Sequence, residues 1–424
     1  MDKRDFLKKT AVAALGFPFY TQAASTLFSS PEPFLDHSTV KSDDFWTKIR
    51  SDYVLKDDYI NLENGYYNII PQPTLERLFE HIKEVNKQGS YYMRTVQWKN
   101  KQRVTDRLAE VIGCSSKNLI ITRNTTESLD MVIKGMHWNA GDEAVFAHQD
   151  YGAMKDMFAQ VAQRYGIVNK IISIPNHPKS DEEIINLYAK AITPRTKLLM
   201  VCHMINITGQ ILPVQKICEM AHKKGVQVMV DGAHCIGHLQ VDVESLGCDY
   251  YGSSLHKWIA APLGTGMLYV KTEHIDTLWP IFAESKRPPG DISRLNHTGT
   301  HPVYHDLCIE HALAYYQALG PERKERRLRF LQEYWTSKVR SFPKIKINTP
   351  KDSKRACAIA NVGIEGMTPS DMAKRLLEDY KIFTVAIDNA NVQGCRITPN
   401  VFTTTDELDT FVEALKSLAQ KAMD

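Results

Sequence analysis

Residues Val230–Trp258 read VDGAHCIGHLQVDVESLGCDYYGSSLHKW, and the fold is decided by where this stretch puts one acid and one amine. Asp231 closes the apolar run VQVMV, which has the length and composition of a buried strand. Lys257 follows a second run, DYYGSS, after Leu255 and His256. Their separation, 257 − 231 = 26 residues, suits a strand, a connection and a second strand. In a parallel α/β sheet, ligands sit beyond the carboxyl ends of the strands, and both residues occupy such ends. An amine and a carboxylate placed there suit a carbonyl cofactor: the lysine forms a Schiff base and the acid holds a pyridinium nitrogen. Taken singly, Asp231 also reads as a turn cap and Lys257 as a surface charge. Their joint occurrence carries the chemistry.

Outward from this stretch the chain alternates in the way of doubly wound folds. Before it come strands at GDEAVFA, IVNKIISI and TKLLMVCH, with helices expected over Gly152–Tyr165, Asp181–Ile192 and Pro213–Lys224. Further back, NLIIT reads as a buried strand and Thr125-Thr126-Glu127-Ser128 opens a helix. A helix start offers free N–H groups and the positive end of the dipole, and threonine hydroxyls add donors. That is an anion site without a GxGxxG loop, although threonine at a helix start is also ordinary capping. Helices are expected again in TLERLFEHIKEV, where Leu75, Leu78, Phe79 and Ile82 fall at helical spacing, and over Gln97–Ile112. Arg94, between them, reads as a surface charge rather than a substrate anchor. The run ERKERRLR reads as a solvated helical face.

The pattern DGAH followed by S-x-H-K resembles the active-site region of class V aminotransferases, within the fold type I pyridoxal phosphate (PLP) enzymes. The resemblance spans roughly residues 59–420 and is nearest in flavour to the isopenicillin N epimerase-like branch. It implies an α/β fold: a large doubly wound, mainly parallel sheet domain at 73–320 and a small C-terminal α+β domain with a connecting helix at 321–424. It also implies PLP as cofactor. Asp231 would keep the pyridine nitrogen protonated, and His234 and Asn206 would approach the phenolic oxygen. Thr125, Thr126, Ser254 and His256 would hold the phosphate. Tyr151 stands where desulfurases carry a ring-stacking histidine, which puts desulfurase-type proton handling in doubt. Lys257 would carry the cofactor and act as base at the substrate α-carbon. A free lysine titrates near 10.4, so burial or nearby cations must lower it. Arg396, in GCRITPNVFTTTDELD, would grip a substrate α-carboxylate, since a guanidinium holds two oxygens at once. Asn64 and Gly65, in the arm YINLENGYYNIIPQP, would contact substrate. Gly299-Thr300 would reach the neighbouring subunit's phosphate, which implies a homodimer with shared active sites.

These features imply an enzyme acting at the α-carbon of an amino acid or similar amine, by amino transfer or epimerisation. A β-eliminating C–S lyase and a non-catalytic PLP-binding sensor are the alternatives. A desulfurase would carry a nucleophilic cysteine on a mobile loop before Arg396; the segment AIDNANVQ has none, and Cys395 reads as a strand residue.

Composition sets the remaining bounds. The 424 residues suffice for two or three domains. A net charge of +3 is too mild to argue for nucleic acid or an anionic membrane. The 8 cysteines form no CxxC pair and mostly lie in or beside apolar runs, as small core residues do; no metal is expected. The N-terminus differs from the rest. A basic segment, an apolar run from Ala11 to Tyr20 and the small residues Ala23, Ala24 and Ser25 have the layout of a cleaved export signal over 1–25. The run is too short for a stable membrane span. Lys3-Arg4-Asp5-Phe6-Leu7-Lys8 resembles a twin-arginine signal with lysine for the first arginine, which suits periplasmic export of a folded, cofactor-loaded protein. An amphipathic helix on a cytoplasmic protein is the alternative. Residues 26–72 read as a linker and an N-terminal arm.

Overall fold

The computed structural model describes residues 43–421. The export signal and the first part of the linker lie outside the described residues. The chain opens with α1 (Asp43–Arg50), β1 (Ile60–Asn61), α2 (Gln72–Gln88) and α3 (Gln97–Ile112). It then alternates: β2 (Leu119–Thr122), α4 (Thr125–Gly135), β3 (Glu143–Ala147), α5 (Gly152–Tyr165), β4 (Val168–Ile172), α6 (Asp181–Ala191), β5 (Thr196–Cys202), α7 (Val214–His222) and β6 (Gln227–Asp231). Two strands without intervening helices follow, β7 (Tyr250–Ser254) and β8 (Gly266–Val270). The helices α8 (Val303–Leu319) and α9 (Pro321–Val339) lead to β9 (Ile345–Ile347), β10 (Ala360–Ile364), α10 (Pro369–Tyr380), β11 (Ile382–Phe383), β12 (Val385–Asn389), β13 (Val392–Ile397) and α11 (Thr405–Lys421).

Seven strands form one sheet in the order β2-β8-β7-β6-β5-β3-β4. The run β7-β6-β5-β3-β4 is parallel, and β8 lies antiparallel between β7 and β2. The strands β3, β6, β7 and β8 are continuously buried or nearly so because both faces are covered. Alternate residues feed two cores: Leu199 and Val201 of β5 point into one, Leu198 and Met200 into the other. The edge strand β4 has no fully buried position and exposes Val168 and Ile171. The expected α/β class and mainly parallel sheet are therefore present. A separate antiparallel sheet, β12-β13-β10-β9, packs with α9 and α11 around Trp335, Phe411 and Val362.

Two details add to the sequence expectation. The connector between α2 and α3 is itself helical, a π turn over Tyr92–Val96 in which the Thr95 hydroxyl donates to the Tyr91 carbonyl at 2.6 Å. The N-terminal arm is tied down by β1, which pairs in parallel with β11, Ile60 against Ile382. Among the described residues no helix is long and apolar enough to cross a membrane.

Candidate active site

The carboxyl edge of the seven-stranded sheet opens into a cavity of about 300 Å³. Eleven of the residues singled out from the sequence line it: Gly65, Thr125, Thr126, Tyr151, Asn206, Asp231, His234, Ser254, His256, Lys257 and Arg396. They come from seven different segments: the seven-stranded sheet gathers those at its strand ends, while the arm adds Gly65 and the small sheet adds Arg396. Arg94 is exposed and outside the lining, as its surface reading expected.

One end of the cavity is built for an anion. α4 begins there, capped by the Asn124 side chain, which accepts from the Glu127 N–H at 2.8 Å. Ser254, at the end of β7, meets the helix start: its Oγ accepts from the Thr125 N–H at 3.0 Å and lies 2.7 Å from the Thr125 hydroxyl. Gly266 allows this close approach, since a Cβ there would lie 2.7 Å from the Asn124 backbone. His256 is fixed by its Nδ1–H, which donates to the Thr265 carbonyl at 3.1 Å. Burial, helped by Lys257, pushes its pKa down to about 4, so its Nε2 carries a lone pair until an anion draws a proton onto it.

The other groups form a chain of assigned protons. The Ala358 N–H donates to His238 Nε2 at 3.0 Å, so His238 carries its proton on Nδ1 and donates to the His234 carbonyl at 2.9 Å. The His238 ring stacks on Trp258 with centroids 3.8 Å apart. The Trp258 indole N–H, a donor only, reaches His234 Nδ1 at 3.3 Å. Burial and the nearby Lys257 hold His234 neutral, far below the usual imidazole range. A neutral imidazole that accepts at Nδ1 must carry its proton on Nε2. His234 Nε2 lies 3.2 Å from Lys257 Nζ. The imidazole therefore donates in this contact, which favours Lys257 as the free amine that accepts it. Burial pushes the Lys257 pKa down to about 8, with Asp231 opposing and Arg396 assisting.

Asp231 ends β6 and is 3% exposed. It accepts one hydrogen bond, from the Ala233 N–H at 3.0 Å. Burial lifts its pKa above the usual carboxylate range, against the pull of that N–H and of Lys257. Behind it Asp150 is also buried and is pushed up to about 8. Cys202 lines the cavity but is no nucleophile: burial and Asp231 hold it as a thiol, which donates to the Met204 carbonyl at 3.1 Å. Tyr151 stands at the mouth, 46% exposed. The donor set fits a group with an anionic end, a flat ring and a ring nitrogen that can carry a proton to Asp231.

One expected site residue lies elsewhere. Asn64 is fully buried, with its carboxamide donating to the Thr398 carbonyl at 2.8 Å and its N–H to the Thr398 hydroxyl at 2.6 Å. It pins the arm to the strand that carries Arg396 and does not line the cavity. The turn it belongs to does reach the site, through Gly65 and Tyr66. Thr300, expected to reach the neighbouring subunit's phosphate, is exposed and outside the lining of this chain's own cavity. The sequence reading missed Glu63, whose carboxylate pairs with Arg396, Nη2 to Oε1 at 2.6 Å and Nε to Oε2 at 3.1 Å. The two residues are 333 positions apart, and an acid beside an Asn-Gly turn carries no sequence signal of its partner. Where a desulfurase would carry its loop, β12 and β13 form a tight hairpin turned at Ala390 and Asn391, both at positive φ.

Comparison with known proteins places this geometry. The sequence model described as "Aminotransferase class-V" matches residues 69–388. The isopenicillin N epimerase of Streptomyces clavuligerus is 25% identical over 394 residues, covering 88% of this chain and 98% of the relative. An apo cysteine desulfurase from Thermococcus onnurineus NA1 superposes with a TM-score of 0.78 at 21% identity, covering 88% of this chain and 98% of the other. A mutant of C-DES with glycine covalently linked to its PLP cofactor superposes with a TM-score of 0.75 at 21% identity, covering 84% and 96%. These two structures share the fold.

Proposed function

The chain belongs to the class V aminotransferase family and takes pyridoxal 5'-phosphate, and from that premise we propose that it removes and returns a proton at the α-carbon of an amino acid or close analogue, ending in epimerisation or amino transfer. When bound, the cofactor supplies an electron sink for the pair left at the α-carbon. The chain's own residues do the rest. The start of α4, Ser254 and His256 would hold the phosphate, with His256 becoming a donor as the anion raises its pKa. Tyr151 would cover the ring. Asp231 would accept from the ring nitrogen, recovering the energy lost in burying a carboxylate with a single donor. His234 and Asn206 would approach the phenolic oxygen. Lys257 would carry the cofactor and move the proton at the α-carbon, and Arg396 would hold the acid side of the substrate.

The observation that carries this reading is the buried Lys257 amine, its pKa pushed down to about 8, held 3.2 Å from a neutral imidazole in the same cavity as an under-bonded carboxylate and a guanidinium. A positioned base of matched pKa contributes roughly 10²–10⁴-fold to proton transfer. Sulfur mobilisation is disfavoured by the tight β12–β13 hairpin and by the burial of Cys395, which is 0% exposed. The test is proton NMR in D₂O with L- and D-amino acids, with and without a 2-oxo acid. Loss of the α-proton signal with appearance of the other enantiomer identifies epimerisation. A new amino acid formed only with the oxo acid identifies amino transfer. Release of a β group contradicts the proposal in favour of a lyase, and an unaltered α-proton with every compound contradicts it in favour of a sensor.

We also propose a homodimer with shared sites. Exposed Thr300 and the exposed apolar side chains of Trp98, Leu263 and Trp279 support it. Elution at the monomer mass would refute this. Export in folded form, proposed from residues 1–25, predicts recovery of a shortened chain from the periplasm.

A further inference from the structure

Arg396 reaches the cavity from β13, and Glu63 meets it from the turn after β1. Glu63 lies along one edge of the guanidinium, the edge formed by Nε and Nη2. The pair is buried, with side-chain exposures of 8% and 3%. Glu63 Oε1 also accepts from the N–H groups of Gly65 and Tyr66, each at 3.0 Å. The Glu63 N–H in turn donates to Asn61 Oδ1 at 3.0 Å. This carboxylate is therefore fixed by its own turn and does not swing aside for a ligand. Gly65 makes room for the arrangement, because a Cβ at that position would lie 3.0 Å from Arg396 Cζ. Arg396 Nη1 leans on the Asn206 carbonyl at 3.4 Å. A guanidinium has five N–H donors in a rigid fork, so what remains for a ligand is the edge between Nη1 and Nη2.

Two consequences follow. The free edge is held in one orientation, so a ligand is gripped end-on. The charge behind that edge is already cancelled, so an arriving carboxylate puts a second negative charge beside one guanidinium, in a buried place where such charges are poorly screened. A neutral carbonyl oxygen uses the same donors without that second charge.

We propose that Glu63 is a specificity-determining residue and that the site takes amino-acid carboxamides, including the first residue of a peptide, alongside free amino acids. This rests on the reading of Arg396 as the anchor for the acid side of the substrate. The test uses holoenzyme and the α-methyl derivatives of alanine and phenylalanine, as free acids and as primary amides. These lack the α-proton, so binding is read from the absorbance of the bound cofactor without turnover. In the wild type, acid and amide of each pair are expected to bind within about tenfold of one another. In Glu63→Gln the preference is expected to move toward the acid by roughly tenfold or more, the scale of one charged hydrogen bond. The introduced carboxamide keeps an acceptor for the Gly65 and Tyr66 N–H groups. The wild-type ratio needs no variant, so it decides the matter if Glu63→Gln fails to fold. A wild-type preference for the acid above about 100-fold, or a ratio that Glu63→Gln leaves unmoved, overturns the proposal while leaving the α-carbon chemistry intact. Absence of any response to acid and amide alike overturns both.

Discussion

Asp231 and Asp249 are two buried carboxylates at opposite ends of the same pair of strands. Each is 3% exposed. Asp231 ends β6, and Asp249 immediately precedes β7. Asp249 accepts from His222 Nε2 at 2.8 Å, His274 Nε2 at 3.0 Å and the Val228 N–H at 2.7 Å. Although burial pushes its pKa up, those donors outweigh it and hold the carboxyl below the usual range. Asp231 has one N–H at 3.0 Å and sits above that range. Burial is the same; the number of donors differs. A buried acid that the protein satisfies itself is structural, knitting α7, β6, β7 and the turn after β8. A buried acid left short of donors marks the place where a group from outside the chain completes the site.

That contrast predicts opposite phenotypes for the same chemical change. Asp231→Asn should lower kcat at least about 100-fold, since the partner of a developing charge is lost. It should also raise the melting temperature of the cofactor-free protein at pH 7. The sign follows from linkage: a carboxyl with a raised folded pKa opposes folding above that pKa, and the opposition fades as pH falls through it. Asp249→Asn should leave kcat within about twofold and destabilise the fold by about 2–4 kcal/mol, because it strips charge from three hydrogen bonds to a buried acid. Here the folded pKa is depressed. The wild-type advantage is full above the unfolded value near 3.9 and fades as pH falls through the folded value below it. Denaturant titrations at pH 7 and pH 3 check both, and matching behaviour of the two variants would break the comparison.

A smaller effect sharpens it. Cofactor uptake by the cofactor-free protein needs Lys257 as the neutral amine, so its rate should rise with pH and level off above about 8. Trp258→Phe removes the donor that confines the His234 proton to Nε2. His234 can then accept from a charged Lys257, and the midpoint should move upward. A midpoint that stays in place would show that the indole does not set the tautomer.

Much of this site was legible in the sequence, because its residues sit at strand ends. Strand ends announce themselves through apolar runs such as VQVMV, and a parallel sheet gathers them on one edge without further information. Asp231, Lys257, Ser254 and the Thr125 turn were found that way. Arg396 was found by pattern, but its partner was not. The Glu63 contact depends on the arm pairing β1 with β11 and bridging to Thr398, which no local periodicity records. Asn64 was misplaced for the same reason: an Asn-Gly turn shows where the chain bends, not which side chain faces the cavity. The Ala358–His238–Trp258–His234 proton chain was also beyond reach, since it joins the small sheet's approach to β10 with the turn after β6 through a stacking contact. Local pattern gives elements and their ends; second partners come from tertiary pairing.

The most direct test of the account is to reduce the holoenzyme with borohydride and map the modified peptide by mass spectrometry. The account predicts one pyridoxyl phosphate group per chain, on Lys257, and none in Lys257→Ala. Modification of another lysine, such as Lys155 or Lys324, or an unmodified Lys257 in a protein that holds its cofactor, would contradict it.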